Sequence, residues 1–402
     1  MLEAPSVGMA SPKLPEDWDW KAYLLYNRDA RYSGAFTESA AGEFYLRNQG
    51  AYLFDQNAAL PNKNHVVTLL GYSRVADDGA RHTNWFPWNR FRDAIETIGY
   101  ACEWCEVDDL KRGDEARIFV TWNEPTSLDL FHAGQIREGD IVLQKLTSLG
   151  KGMEKVDWTA DARAWSMEWE WPIYRTVEYL SDIGMPVYAF GCRTDSTLFP
   201  EKRRIVERLA DRIFWIPWGG TPFSWEEVLA AEPKMDDLTE DVVFVGSKWG
   251  RVGRGNIDAW ERYLAPFERS KEVVFTKYGG IGEKMVSDEE MVALLRKGRI
   301  CPIVHAPSWQ AEHGVQDRFY TVFLSGRFGI CDHLGAVDLF GKDIANICTE
   351  VPEDYFDKSL HFLKNVDEQL EFITYVQDRI KKDFNFYVTW LNILSGLPDQ
   401  SR

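Results

Sequence analysis

The sequence predicts an α/β protein with two doubly wound parallel sheets that face each other across a cleft, preceded by an N-terminal extension. Two observations indicate this class. Short apolar runs alternate with amphipathic helical stretches over most of the chain, which is typical of parallel sheets covered by helices on both faces. The 402 residues also exceed the ~250–300 residues at which a single core usually stops growing, so we expect two domains.

Composition indicates a globular protein without a strongly basic surface. Hydrophobic residues make up 45% and charged residues 27% of the chain, which excludes a mainly disordered or fibrous protein. The net charge of −17 opposes non-specific attraction to nucleic-acid phosphates or anionic membranes. The N-terminus lacks a secretory pattern, and no apolar run approaches the ~20 residues that span a bilayer. We therefore expect a cytoplasmic protein with no membrane span.

The six cysteines indicate reduced thiols rather than disulfides, because most are widely spaced within apolar stretches. Cys102 and Cys105 form one CxxC motif. A zinc site would require a second pair at similar spacing, and the sequence has none. The motif therefore predicts a strand with ordinary buried thiols.

The first two predicted segments are an N-terminal extension over 1–64, either packed on the first domain or preceding it, and a first Rossmann-like domain over 65–235. The extension ends in the turn-forming run PNKN. In the first domain we predict strands at 65–71, 100–107, 117–122, 140–146, 185–191 and 212–220, and helices at 89–99, 172–184 and 201–210.

An acidic stretch at 230–241 predicts the linker to a second Rossmann-like domain over 236–402. Ser287 and Glu290 form a predicted capping box. In this domain we predict strands at 241–251, 272–280 and 300–307, helices at 256–268 and 287–298, a helix and strand within 317–335, and terminal helices over 357–384 and 388–396.

The loop VGSKWGRVGRGN (245–256) is a candidate anion site at the end of a predicted strand. Lys248, Arg251 and Arg254 lie among four glycines, the first of which is Gly246. Glycines let backbone N–H groups approach an anion, and nearby cations can neutralise a diphosphate. The Walker and dinucleotide glycine patterns are absent, which weakens NTPase and NAD interpretations. A flexible basic surface loop is the alternative.

Residues 317–335, DRFYTVFLSGRFGICDHLG, resemble the C-terminal domain of GT-B glycosyltransferases, particularly the CgeB-like proteins and neighbouring group 1 transferases. That family carries R-(F/Y)-F-E-A-L-x-C-G, then a buried strand, an Asp, and a turn with Leu and Phe. VVFVGS (242–247) also resembles the family's strand that opens the donor domain, and the likeness covers roughly 240–395. The residues that match in order are Arg318, Phe319, Tyr320, Phe323, Leu324, Gly326, Ile330, Asp332, Leu339 and Phe340.

The resemblance implies a metal-independent transferase that moves a sugar from a nucleotide-diphosphate donor, with a UDP-sugar as co-substrate and no cofactor. Arg318 would face the donor phosphates, helped by the positive end of the helix. Thr321 stands where the family has its donor-binding Glu. The only DxD sequence, at Asp17 and Asp19, is interpreted as incidental. The implied donor-binding residues are Gly246, Lys248, Arg251, Arg254, Lys277, Arg318, Thr321, Gly326 and Asp332.

A general base for the acceptor hydroxyl is expected at the strand ends of the first domain. His82, after the first strand, and Glu124, after the strand at 117–122, are the candidates, with His132 third. Each also has an ordinary structural explanation, as a surface loop residue or a residue near a helix end. A transferase that retains the anomeric configuration would need no such base.

Other functions remain open at the sequence level. The Asn-Glu-Pro at 123–125 resembles the acid/base motif of retaining glycosidases, although no second carboxylate follows in a matching motif. A nucleotide- or sugar-binding protein without turnover is another alternative, and a GT-B sugar-nucleotide epimerase a further one. The acceptor is open as well: a glycan, a lipid-linked sugar, a small molecule, a protein or a modified nucleic-acid base, since viral DNA-base glucosyltransferases also have GT-B architecture.

Overall fold

The computed structural model of this protein describes most of the chain. The chain divides after Leu60 into two compact units, residues 1–60 and 61–402. The predicted domain boundaries at 64 and 235 stay predictions. The described residues are 13–16, 18–48, 60–71, 73, 85–122, 126–146, 171–192, 200–219, 221–236, 238–248, 250–251, 254–279, 286–306, 310 and 314–400.

The first unit is helical where it is described. Asp19 caps its first helix, because Oδ1 accepts the backbone N–H groups of Lys21 and Ala22 at 3.0 and 3.1 Å. This local role agrees with the interpretation of the DxD sequence as incidental. The rings of Tyr23 and Tyr45 lie 5.7 Å apart edge to face and hold two of the helices together. The helices are α1 (Trp20–Tyr26), α2 (Arg28–Tyr32) and α3 (Glu38–Arg47).

Six parallel strands form the first sheet, in the order β2-β1-β3-β4-β5-β6. All five residues of β3 are buried, as expected for a strand covered on both faces. Each strand predicted for this domain is present. Their bounds are β1 (Val66–Leu70), β2 (Ala101–Cys105), β3 (Arg117–Thr121), β4 (Ile141–Lys145), β5 (Val187–Cys192) and β6 (Ile213–Ile216).

Helices between these strands bury apolar faces against the sheet. Tyr174, Val177 and Leu180 recur at helical spacing in one helix and pack in a single core with Val142 and Val187 of two strands. The predicted helices of this domain are therefore confirmed. The helices are α4 (Trp85–Ile98), α5 (Thr126–His132), α6 (Trp171–Asp182), α7 (Pro200–Arg208) and α8 (Trp225–Leu229).

The CxxC motif lies in β2, the edge strand of this sheet. Cys102 and Cys105 are both free thiols. Residues three apart in a strand point to opposite faces, so this pair cannot hold one metal ion. Burial raises the pKa of the Cys102 thiol to about 12 and that of Cys105 to about 11. The predicted strand with ordinary thiols is confirmed.

The second sheet has three parallel strands in the order β10-β7-β11. Single parallel bridges between Ile303 and Cys331 and between Cys331 and Cys348 extend its pairing beyond β11. The strands predicted at 300–307 and after Gly326 are therefore represented mainly by isolated bridges. The strand bounds are β7 (Glu240–Val245), β8 (Gly250–Arg251), β9 (Arg254–Gly255), β10 (Phe275–Tyr278) and β11 (Gly298–Ile300), of which β8 and β9 form a separate antiparallel pair.

The helix predicted at 256–268 is interrupted by a π-helical turn over Trp260–Leu264. Pro266 follows this turn and has no N–H to continue the α-helical ladder, which accounts for the interruption. The predicted capping box is present, since Ser287 and Glu290 exchange hydrogen bonds of 2.6 and 3.0 Å. The helices are α9 (Ile257–Ala259), α10 (Ala265–Arg269), α11 (Asp288–Leu295), α12 (Asp317–Leu324), α13 (Gly335–Phe340), α14 (Pro352–Lys364), α15 (Val366–Lys382) and α16 (Phe386–Gly396).

The last helix, α16, packs on α4 of the first sheet. The ring of Phe91 lies 4.9 Å from those of both Phe386 and Trp390, and Phe190 lies 5.6 Å from Trp390. These contacts connect the end of the chain to the first sheet. The fold class predicted from the sequence, α/β with parallel sheets covered by helices, is confirmed. Across the described ranges, no helix is both long and apolar enough to cross a bilayer.

Candidate functional site

The backbone makes a close junction where β7 and β10 end. Gly246 follows β7 and donates its N–H to the Tyr278 carbonyl at 2.8 Å. Gly279 follows β10 with a φ of +87°, and a Cβ at that position would lie 3.2 Å from the Gly246 carbonyl oxygen. Glycine adopts this φ at no steric cost and permits the close approach. Ligands of open α/β sheets bind beyond such carboxyl ends.

Arg318, the second residue of α12, lies against this junction. Its guanidinium stacks on the Phe244 ring at 4.2 Å, and Nη1 donates to the Val245 carbonyl. Gly246 lies so close to Nη2 that a side chain there would collide with it. Burial lowers the pKa of Arg318 to about 10, so the group keeps its charge at neutral pH. The structure therefore brings the predicted Gly246 and Arg318 together and fixes a cation at the end of β7.

Lys248 and Lys277 lie on the same tryptophan ring. Their Nζ atoms are 5.8 and 5.4 Å from the Trp260 centroid. Each also forms an ion pair of 2.6 Å, Lys248 with Glu261 and Lys277 with Glu268. These pairs are largely solvent-exposed, and exposed ion pairs are worth only about 0–1 kcal/mol. Both ammonium groups can therefore exchange partners for an anionic ligand at low cost.

Several predicted site residues lie outside the described part of the structure. His82 and Glu124 are outside it entirely, as are the side chains of Arg251 and Arg254, whose backbones pair with each other across β8 and β9. His132, the third base candidate, is exposed at the end of α5. The assignments of these residues stay predictions.

Asp317, the first residue of α12, was not singled out by the sequence analysis. Its Oδ1 is sealed from solvent and has no hydrogen-bond partner in the described part of the chain, although the side chain as a whole keeps some exposure. Burial raises the pKa of this carboxyl to about 8, and the nearby Lys145 charge opposes that rise. Asp317 therefore changes its charge near neutral pH.

Lys145 comes from the other sheet, as the last residue of β4. Its Nζ lies 3.9 Å from the ring centroid of Trp122 and 4.8 Å from that of Trp218. Trp122 follows β3 directly, so these groups mark the carboxyl end of the first sheet. An ion pair of 3.5 Å between Arg90 of α4 and Asp288 of α11 is a second link between the two halves. The carboxyl end of β4 and the start of α12 are thus electrostatic neighbours.

Asp332 forms a buried pair with His305. The Asp332 carboxylate accepts the His305 backbone N–H at 3.0 Å, the ring Nδ1–H at 2.6 Å and the Gln310 amide at 3.0 Å. His305 Nε2 accepts the backbone N–H of Gln316 at 3.2 Å, which assigns the ring hydrogen to Nδ1. Gln316 is the N-cap position of α12. The pair therefore anchors the start of the helix that carries Asp317 and Arg318.

His305, Cys331 and Asp332 bring three possible metal-ligand atoms within 4.8 Å of one another. Both ring nitrogens of His305 and both oxygens of Asp332 already take part in hydrogen bonds. Burial raises the pKa of the Cys331 thiol far above its usual value, which opposes the thiolate that a metal needs. A metal ion would have to replace a satisfied network, so this cluster is best explained as packing.

Thr321 lies on the side of α12 that faces the protein interior, and Gly326 follows the end of this helix. Thr321 is buried, and its carbonyl accepts the Ser325 hydroxyl at 2.7 Å. Gly326 has a φ of +80°, and a Cβ there would come within 2.6 Å of the Glu232 carbonyl. Gly326 thus ends the helix in the left-handed conformation. The structure does not bring these two residues to the Gly246 junction, and their donor-binding roles stay predictions.

Asp317, Lys145 and the anchoring role of His305 were not predicted from the sequence. Asp317 stands directly before the arginine that the resemblance identified, and Lys145 is the last residue but one of a predicted strand, so both had a positional signal. Their mutual proximity had none, because 172 positions of the sequence separate residue 145 from residue 317.

Comparison with known proteins gives only distant structural likenesses. No family model matches the chain, and no curated protein matches its sequence. A crystal structure of the DNA-modifying enzyme β-glucosyltransferase, determined with and without uridine diphosphoglucose, is similar over 82% of this chain and 99% of that chain, with a TM-score of 0.44 and 9% identity. The crystal structure of a Listeria monocytogenes protein described as a UDP-N-acetylglucosamine 2-epimerase is similar over 82% of this chain and 95% of that chain, with a TM-score of 0.40 and 9% identity. Likenesses this distant define no activity for this chain.

Proposed function

We propose that the protein is a glycosyltransferase that moves a sugar from a nucleotide-diphosphate donor, with UDP as the expected nucleotide, to a hydroxyl acceptor. The observation that carries the proposal is the Gly246–Gly279–Arg318 junction. It combines a backbone without side chains, a fixed guanidinium and the carboxyl ends of two parallel strands. A diphosphate requires a backbone that it can approach closely and a cation that does not have to be ordered on binding.

The departing nucleotide diphosphate gains negative charge as the glycosidic bond breaks. Arg318 supplies a permanent positive charge for it, and Lys248 and Lys277 supply two more once they leave their exposed glutamate partners. Fixed cations lower the barrier by stabilising charge where it develops. We therefore propose that the reaction proceeds without a metal ion. Turnover that persists in excess EDTA is the expected result, and loss of turnover restored by Mg²⁺ would contradict it.

The donor site is tested by calorimetry with UDP. Arg318→Ala should weaken UDP binding by about 1.5–3 kcal/mol, the usual worth of a charge-assisted hydrogen bond, which is roughly a 10- to 150-fold rise in Kd. Arg299→Ala is the matched control, because Arg299 is exposed in β11 near the amino end of β7. Equal UDP affinities of wild type and Arg318→Ala would remove Arg318 from the site.

Turnover separates the transferase from its alternatives. Thermal-shift screening of UDP-glucose, UDP-N-acetylglucosamine and GDP-mannose identifies the donor, and slow hydrolysis of that donor supports a transferase. Nucleotide binding without any turnover would support a binding protein instead, and cleavage of aryl glycosides without nucleotide would support a glycosidase. The acceptor candidates are a glycan, a lipid-linked sugar, a small molecule, a protein or a modified nucleic-acid base.

A further inference from the structure

The start of α12 presents two adjacent charged residues in different directions. Arg318 turns towards β7, where Phe244 and Val245 hold its guanidinium. Asp317 does not join this contact. Its Oδ1 is sealed from solvent and has no hydrogen-bond partner among the residues described. A buried polar atom without a partner is costly and calls for an explanation, such as a ligand that bonds to it.

Lys145, at the end of β4 in the first sheet, is a second charged group that affects Asp317. The positive charge of Lys145 favours the ionised form of this carboxyl. Trp122 and Trp218 hold the Lys145 ammonium against their rings. Asp317 therefore lies between the predicted diphosphate site on one side and the carboxyl end of the first sheet, where we expect the acceptor, on the other.

We propose that Asp317 is the general base of the transfer and that its carboxylate, which keeps some exposure, accepts the acceptor's hydroxyl proton. This inference rests on the function proposed above. The acceptor oxygen attacks the anomeric carbon and forms the new glycosidic bond, while the bond from that carbon to the diphosphate oxygen breaks. The nucleotide diphosphate leaves with the bonding electron pair and is held by Arg318. The acceptor proton ends on Asp317, which then returns it to solvent.

The environment of Asp317 suits this role. A general base works best when its pKa lies near the working pH, and burial raises that of Asp317 to about 8. Lys145 opposes the rise, so it keeps an ionised fraction available at neutral pH. Lys145 thus acts as a positioning and tuning residue, whereas Asp317 contacts the reacting hydroxyl.

The decisive experiment follows hydrolysis of UDP-glucose, with water as the acceptor, from pH 5 to 10. Asp317→Asn keeps the size of the side chain but removes the base. We expect its kcat to fall about 100- to 10,000-fold, with the Kd for UDP within threefold of wild type. The wild-type rate should rise with a midpoint near pH 8 and level off at higher pH, and the variant should lose this rise. Asp317→Glu should restore part of the activity.

Asp367→Asn is the control, since Asp367 is exposed in the first turn of α15, and it should match wild type. If wild type and Asp317→Asn both bind UDP and share kcat and pH profile, the base lies elsewhere and only this inference is overturned. If wild type neither binds UDP nor hydrolyses a UDP-sugar, the proposed function fails and the inference fails with it.

A direct titration provides a readout that does not depend on turnover. The protein is labelled with ¹³C at the aspartate carboxyl carbons, and the resonance missing in Asp317→Asn is followed with pH. We expect a midpoint near pH 8, and a higher midpoint in Lys145→Met because the opposing cation is gone. A midpoint near 4, the ordinary value for an exposed Asp, would overturn the assignment of Asp317 as the base.

Discussion

The contact between Gly246 and Arg318 can be tested by adding one methyl group. In Gly246→Ala the new Cβ would overlap the Arg318 Nη2 and would lie 3.2 Å from Cε1 of Phe244. Phe244 is part of the buried core, so the guanidinium is the group with more freedom to move. Displacing it would break the hydrogen bond to Val245 and move the cation away from the end of β7.

The magnitude follows from the two contacts involved. Overpacking a well-filled site costs about 1–3 kcal/mol, and a lost hydrogen bond to a charged group costs about 1.5–3 kcal/mol. Movement of Arg318 relieves part of the overpacking but breaks the hydrogen bond to Val245. We therefore expect the free energy of unfolding to fall by about 2 kcal/mol. UDP affinity should fall as well, by up to the roughly 10- to 150-fold expected when Arg318 is removed, because the displaced guanidinium no longer faces the diphosphate.

The assay is a double-mutant cycle with Arg318→Ala, measured by urea unfolding. In that background the colliding group is absent, so adding Gly246→Ala should cost at least 1 kcal/mol less than it does in wild type. Gly42→Ala is the control, since Leu14 lies at an ordinary 3.4 Å from its new Cβ and a helical Gly→Ala change usually stabilises. An equal cost in both backgrounds would show that Gly246 and Arg318 do not touch.

Two further predictions concern the anchoring and the charge of α12. Because the folded pKa of Asp317 lies above the unfolded value, the native state binds this proton more tightly between pH 4 and 8, so stability declines as pH rises. In urea unfolding, the free energy of unfolding of Asp317→Asn should therefore exceed that of wild type by little at pH 4 and by about 1–3 kcal/mol at pH 8, after discounting for partial exposure. A difference that stays constant with pH would contradict the raised pKa of Asp317. His305→Ala removes the acceptor of the Gln316 N–H and should cost about 2–4 kcal/mol, with faster hydrogen exchange at the start of α12; unchanged exchange would exclude the anchor.

Local signals in the sequence predicted most of the fold. Short apolar runs, several of them closed by glycine, identified all six strands of the first sheet, and β7 and β10 of the second. The same signals failed after Gly326, because only isolated bridges at Phe328 and Cys331 form there. A short buried apolar run records burial but not how many of its residues pair. The helix predicted at 256–268 is present, but it contains a π-helical turn before Pro266 that apolar spacing does not reveal.

The candidate site was predicted only where its residues are close in sequence. The glycine loop after β7 and the arginine of α12 carried recognisable patterns, and the structure brings Gly246 and Arg318 into contact. Lys145 was not predictable as a neighbour of Asp317, because no local pattern records which strand end faces which helix. The partners of Asp332 were likewise hidden, since the hydrogen bonds from His305 and Gln310 depend on how separate strands and loops meet.

Because α16 packs on α4, the chain cannot be divided into two stable fragments at the predicted linker alone. A fragment that ends before Phe386 would leave the rings of Phe91 and Phe190 in water, and each such side chain loses about 1.5–3 kcal/mol when its burial is lost. A fragment that begins after the predicted linker would carry an uncovered Trp390 instead. Chimeras that exchange the two halves should therefore transfer residues 386–396 together with the amino-terminal half, although these residues follow the second half in the sequence.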